Sequence, residues 1–245
     1  MRTLGTAHIR PIAALTAALV VAGCSSANIS SLNVFDFGGG KPERIIVGAI
    51  VVPPGSVQLD ASVAAQLRRR ARREDNELAR QRLISEVSAI ITETVVAKLT
   101  GAGLAAGGGI STIEKADERT LLVDGTVTTI NEGNRVQRNI IGFGAGRSHV
   151  SANVTVAMAD SAGRKQLLSF RADADSGRRP GAVATAPVAG ATAGAAAAAG
   201  SAAASGAAGQ ILRADVEVLA RNLGNAIADK VIEYAIAQGW VPKPA

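Results

Sequence analysis

The chain is poor in the residues from which most protein chemistry is built. It has one cysteine, two histidines, one tryptophan and one tyrosine in 245 residues. A lone thiol cannot form an internal disulfide, and no Cys/His cluster offers a transition-metal cage. Ser148 and His149 are adjacent in sequence, which does not by itself make a catalytic dyad. Asp173 and Asp175 fall on one face of a strand, but two carboxylates are a poor calcium site. Catalysis, metals and cofactors are therefore not expected. Aromatics make up only 2% of the chain against 47% hydrophobic residues, many of them alanine, so the core must be built from Val, Ile, Leu and Ala.

What is present begins at the N-terminus. Arg2 and Arg10 are the only charges in the first 23 residues, and "PIAALTAALVVAG" (11–23) is an apolar run shorter than the roughly 20 residues a spanning helix needs. A basic start, a short apolar core and small residues at its end describe an export signal. The single cysteine stands at the end of that run. Val21-Ala22-Gly23-Cys24 resembles the lipobox of bacterial lipoproteins. The resemblance implies cleavage before Cys24 and acylation there, with palmitate among the candidate chains. Two or more chains anchor a protein stably where one does so marginally. Ser25 and Ser26 follow the cysteine, with no Asp, which resembles the Gram-negative pattern for the outer membrane. The expected location is its inner leaflet, with the body in the periplasm. Loss of Arg2 and Arg10 lowers the formal net charge from +6 to +4. In the periplasm that excess suits lipid headgroups, lipopolysaccharide or wall polymers rather than nucleic acid.

Beyond the leader (1–23), residues 24–43 are rich in Ser, Asn and Gly and read as a flexible tether, and 44–240 as one domain. "RIIVGAIVV" (44–52) reads as a buried strand ended by Pro53-Pro54-Gly55. A helical region spans about 60–100, its apolar stripe set by Leu83, Val87, Ile90, Ile91, Val95 and Leu99. Segments 119–133, 148–160 and 165–175 alternate apolar and polar residues and predict three strands, the last two joined at Gly163. A last helix over 211–238 carries Leu212, Val216, Leu219, Leu223, Ile227, Val231 and Tyr234, with Gly239 as its stop and Trp240 folding back. The expected class is α+β: a mostly antiparallel sheet of about four strands with two long helices packed on it, plus an Ala/Gly-rich insert at 182–210.

Three stretches could carry function. In "IIGFGAGRSHV" (140–150), Gly142, Gly144 and Gly146 alternate before Arg147 and Ser148. Bare backbone N–H groups could hold an anion or partner there with Arg138 and Arg147. Alternatively the glycines serve only a bulge or wide hairpin, since the loop leads into a strand rather than a helix. "QLRRRARREDNELARQR" (66–82) is either a solvated helix face or a contact for anionic lipid or glycan. The segment 182–210 holds "AGATAGAAAAAGSAAASGAAG" and has no charged residue. It reads as a loosely ordered insert or small-residue hairpin, as close packing in a homo-oligomer, or as a membrane-inserted element.

"RNIIGFGAGRSHV" (138–150), "SGRRPG" (176–181), the Gly/Ala-rich insert and a helix ending "AQGW" (237–240) are together similar to a bacterial lipoprotein family known as domain of unknown function number 4410. The resemblance covers roughly 44–240, implies the architecture, and carries no biochemical activity. The layout also looks like periplasmic lipoprotein domains of the curli-secretion and penicillin-binding-protein-activator type, at the level of fold alone. Two functional classes follow. One is a non-enzymatic accessory lipoprotein that binds an envelope protein or polyanion. The other is an oligomer-forming or membrane-inserting component of a secretion or envelope assembly that uses the Ala/Gly segment.

Overall fold

The computed structural model describes residues 26–35, 39–109, 118–141, 145–177 and 208–242. The lipobox-like residues 21–24 and the Ala/Gly-rich segment up to residue 207 lie outside them. Strands β1 (Ser26–Val34), β2 (Arg44–Gly48), β3 (Val57–Gln58), β4 (Ala106–Gly109), β5 (Thr120–Asn131), β6 (His149–Asp160) and β7 (Gly163–Asp175) form one sheet. Its order is β1-β7-β6-β5-β2-β4, with β3 beside the end of β5. Helices α1 (Val63–Ala71), α2 (Asn76–Gly101), α3 (Arg135–Ile140) and α4 (Ala208–Ala237) complete the described elements.

This corrects the expected sheet of about four strands with two long helices. Seven strands are present, and the sheet is mixed: β1, β7, β6 and β5 pair antiparallel, whereas β2 pairs parallel with both β4 and β5, and β3 parallel with β5. The strands that sequence pattern did not reveal are short or lie at an edge. β4 is Ala-Gly-Gly-Gly, held as a strand by its parallel pairing with β2 rather than by its own propensity. β1 falls inside the stretch read as a flexible tether. Its Ala27 and Ile29 pack against the core while Asn28 and Ser30 face out, a short period-two pattern sufficient for an edge strand once β7 offers its free side.

The helical region near 60–100 is likewise two helices. Ser62 caps α1, and Asp75 caps α2 by accepting from the Leu78 N–H at 2.8 Å. Between them Arg73 turns into the left-handed region at φ 54°. The aliphatic stripe of α2 buries Val87, Ile91, Val95 and Leu99. That of α4 buries Val216, Leu219, Leu223, Ile227, Val231 and Tyr234. Both stripes join one core with the helix-facing residues of the sheet, among them Val123, Val127, Val150, Val154, Phe170 and Ala172. At roughly 25 cal/mol per Å² of apolar area removed from water, this layer supplies the main driving force for folding. Trp240 closes it, its backbone N–H donating to the Ala235 carbonyl at 2.8 Å and its ring edge-on to Tyr234 at 5.6 Å.

The register fixes the geometry that matters for function. Asn131 pairs with His149, His149 with Asp175, and Asp175 with Ser26, so one row runs across β5, β6, β7 and β1. We refer to this as the Ser26 end. The opposite end carries the tight β6–β7 hairpin at Asp160–Gly163.

Candidate functional site

The Ser26 end gathers the described parts of the 140–150 turn and the approach to the arginine run. β5 leaves it at Asn131, α3 starts four residues later, and the chain returns at His149. β3 reaches the same end, Gln58 pairing with Asn131, and α1 starts five residues on.

The glycine turn is stapled from inside. Gly133 and Gly146 have φ of +71° and +66° and lie back to back. A Cβ on Gly146 would sit 2.1 Å from the Asn134 carbonyl oxygen, so no side chain fits there without moving backbone. The Asn134 N–H donates to the Gly146 carbonyl at 3.1 Å, and the Asn134 side chain caps α3 by accepting from the Gln137 N–H at 3.1 Å. Ser148 is fully buried. Its hydroxyl donates to the Glu132 carbonyl at 2.7 Å, its N–H to Ser176 Oγ at 3.2 Å, and its carbonyl accepts from the Ser176 N–H at 3.1 Å. Gly146 and Ser148 are thus parts of the turn's own construction, and only Arg147 of the described trio is exposed. Gly142, Gly144 and the side chain of Arg138 lie outside the described residues, as do Val21, Ala22, Gly23 and Cys24.

The arginine run divides into two sets. Arg68, Arg69, Arg72 and Arg82 line a cleft of about 120 Å³ between α1, α2 and α4, which Asp60, Glu74, Glu86, Glu132 and Glu217 also line. Acidic groups match the basic ones, so the cleft is no anion hole. Arg82 pairs with the nearly buried Glu74 at 2.9 Å, and Arg69 donates to the Asp60 carbonyl at 3.0 Å. Arg70 and Arg73, outside the cleft, are exposed at the end of α1 and its following turn, and Arg72, which lines the cleft, is exposed as well.

Sequence reasoning missed a third cluster, on the sheet face opposite the long helices. Ser151 Oγ lies 2.6 Å from His149 Nε2 and 2.5 Å from Asp173 Oδ1, and Arg171 Nε donates to both Asp173 oxygens at 3.1 Å. Burial, the largest influence on Asp173, pushes its pKa up. Hydrogen bonds from Ser151 and Arg171 and the charges of Arg171 and His149 outweigh it and leave the carboxyl below its ordinary value. The residue types are those of a hydrolase triad, but the wiring differs. A triad places the histidine between serine and carboxylate, whereas here Ser151 donates directly to Asp173, and His149 Nε2 is 3.6 Å from that oxygen. The cluster ties β6 to β7. Only strand register could have revealed it, because Ser151 and Asp173 are 22 positions apart. Among the described residues no group of three or more His, Cys, Asp or Glu could hold a metal ion, and no helix is long and apolar enough to cross a membrane.

Residues 45–194 match a family model described as a domain of unknown function (DUF4410). The chain belongs to that family. The match runs from β2 through β7 and into the Ala/Gly-rich segment. No curated protein matches the chain. Among solved structures it is similar to the PelC dodecamer from Paraburkholderia phytofirmans, at 10% identity and a TM-score of 0.32, over 84% of this chain and 94% of that one. A point variant of the same dodecamer aligns at 11% identity and a TM-score of 0.29, over 81% and 97%. Likeness at this level assigns nothing to the family member described here.

Proposed function

We propose that this DUF4410 protein is a lipid-anchored lipoprotein of a Gram-negative envelope. In this reading it is acylated at Cys24, sits on the inner leaflet of the outer membrane facing the periplasm, and acts without catalysis as an accessory that binds an envelope partner. The observation that carries the reading is Val21-Ala22-Gly23-Cys24, the chain's only thiol placed at the end of its leader-like apolar run. Two surfaces are available to a partner: the outer edge of β1, with Leu32, Val34 and Phe35 exposed, and the turn around Arg147. Metabolic labelling with palmitate tests the anchor. The wild-type chain should incorporate label and fractionate with outer membranes, and Cys24→Ala should accumulate as an unlabelled, uncleaved precursor. Equal labelling of the two would refute the assignment.

A further inference from the structure

The anchor and the fold meet at one place. β1 begins only two residues after Cys24. Two residues of fully extended chain span at most about 7 Å. The glycine-rich stretch Gly38–Gly40 lies after β1, not before it, so it cannot serve as a leash between lipid and domain. An acylated Cys24 would therefore hold the Ser26 end of the sheet against the bilayer, with no room for the domain to stand off.

That end has a surface suited to such a place. On α3 and the residue after it, Val136, Ile140 and Ile141 are 43%, 47% and 54% exposed. On α1, Val63 and Leu67, one helical turn apart, are 73% and 57% exposed. Scattered exposed aliphatics need no explanation, but exposed aliphatics on both short helices at one end of a sheet leave apolar area that water does not favour. Beside them Arg70, Arg72 and Arg73 are exposed, and the acidic groups nearby are committed elsewhere: Glu74 to Arg82, Glu77 to Arg80, and Asp75 to the α2 cap. Exposed apolar side chains next to arginines are the combination that binds an interfacial bilayer region, the former in the acyl boundary and the latter among phosphates.

We propose that the Ser26 end of this domain rests on the surface of an anionic bilayer, with Ile140, Ile141, Val63 and Leu67 at the acyl boundary and the exposed arginines after α1 among the headgroups. The proposal rests on acylation of Cys24 and adds to it an orientation: the β6–β7 hairpin points away from the membrane, and the β1 edge stands upright and open to a partner.

The test uses the acylated full-length chain in vesicles of phosphatidylethanolamine and phosphatidylglycerol that carry a spin-labelled lipid as quencher. Acylation blocks Cys24, so a new cysteine is the only free thiol. A fluorophore at Ile140→Cys, and in a second variant at Val63→Cys, should lose most of its emission, while one at Ala162→Cys on the hairpin should keep it. Unquenched labels at both 140 and 63 would overturn the docking. Replacement of both lipids by phosphatidylcholine should restore part of the emission at 140, and equal quenching in the two compositions would overturn the role given to the arginines. Failure of the underlying reading looks different: the unsubstituted chain would itself take up the thiol dye at Cys24.

Discussion

The two ends of the sheet solve the same problem, reversing the chain between antiparallel strands, in different ways. At the hairpin end, β6 and β7 are joined by a tight turn in which the Asp160 side chain accepts from the N–H groups of Ala162 and Gly163. Gly163 has φ of +128°, yet a Cβ there would meet nothing within 4 Å. At the Ser26 end the β5–β6 connection is long, contains α3, and folds back so tightly that Gly133 and Gly146 touch through their backbones. The hairpin is an economical turn with open surroundings. The other is a built structure with a buried staple and with Val136, Ile140 and Ile141 exposed. Strand pairing alone does not require such a connection, which is the reason to look for function there.

The contrast can be probed from the largest effect to the smallest. Gly146→Ala should destabilise the fold by about 3 kcal/mol, because left-handed strain adds to a collision with the Asn134 carbonyl. Chemical denaturation measures it, and a loss no greater than that of Gly163→Ala would erase the distinction between the two turns. Asp173→Asn should cost about 1–2 kcal/mol through the charge-assisted bonds to Arg171. It should also change the acid limb. The folded Asp173 pKa is depressed, so its stabilisation is fully present above the unfolded value and fades as pH falls through the folded one. Wild type should lose stability in that acid window relative to neutral pH, and Asp173→Asn should lose less, as followed by melts across the acid range. Gly163→Ala should cost only ~1 kcal/mol, strain without collision. The double substitution Ile140→Ser with Ile141→Ser should shift stability by less than about 0.5 kcal/mol, since both side chains are already half exposed. It should nevertheless weaken contact with vesicles, a separation of effects that a packing role for these residues would not produce.

The long helices were legible because large aliphatic residues recur at helical spacing in both, and tertiary packing buries that stripe. Strands β5, β6 and β7 were legible for the corresponding period of two. What escaped was decided by neighbours rather than by local pattern. β4 has no side chain beyond one alanine methyl to signal a strand, and β1 is a Ser/Asn-rich edge whose pattern is broken by a bulge between Ser30 and Asn33. The break between α1 and α2 did leave a signal, Asp75 followed by Asn76 and Glu77, which is a helix start inside a charged run. Of the candidate site, the lipobox-like run Val21-Ala22-Gly23-Cys24 is a linear pattern and needs no fold to be read. The contact of Gly146 with Gly133, thirteen positions away in the same connection, and the inward turn of Ser148 left no mark in the local pattern, because both depend on how the connection folds back on itself.

Hydrogen exchange of the acylated chain, on phosphatidylethanolamine–phosphatidylglycerol vesicles and again after detergent extraction, tests most directly the claim that the two ends face different surroundings. Backbone amides of α1 and of the 134–141 segment should exchange more slowly on vesicles than in detergent, while those of the Asp160–Gly163 hairpin should exchange at the same rate in both. Equal rates everywhere, or slowing at the hairpin, would contradict the account.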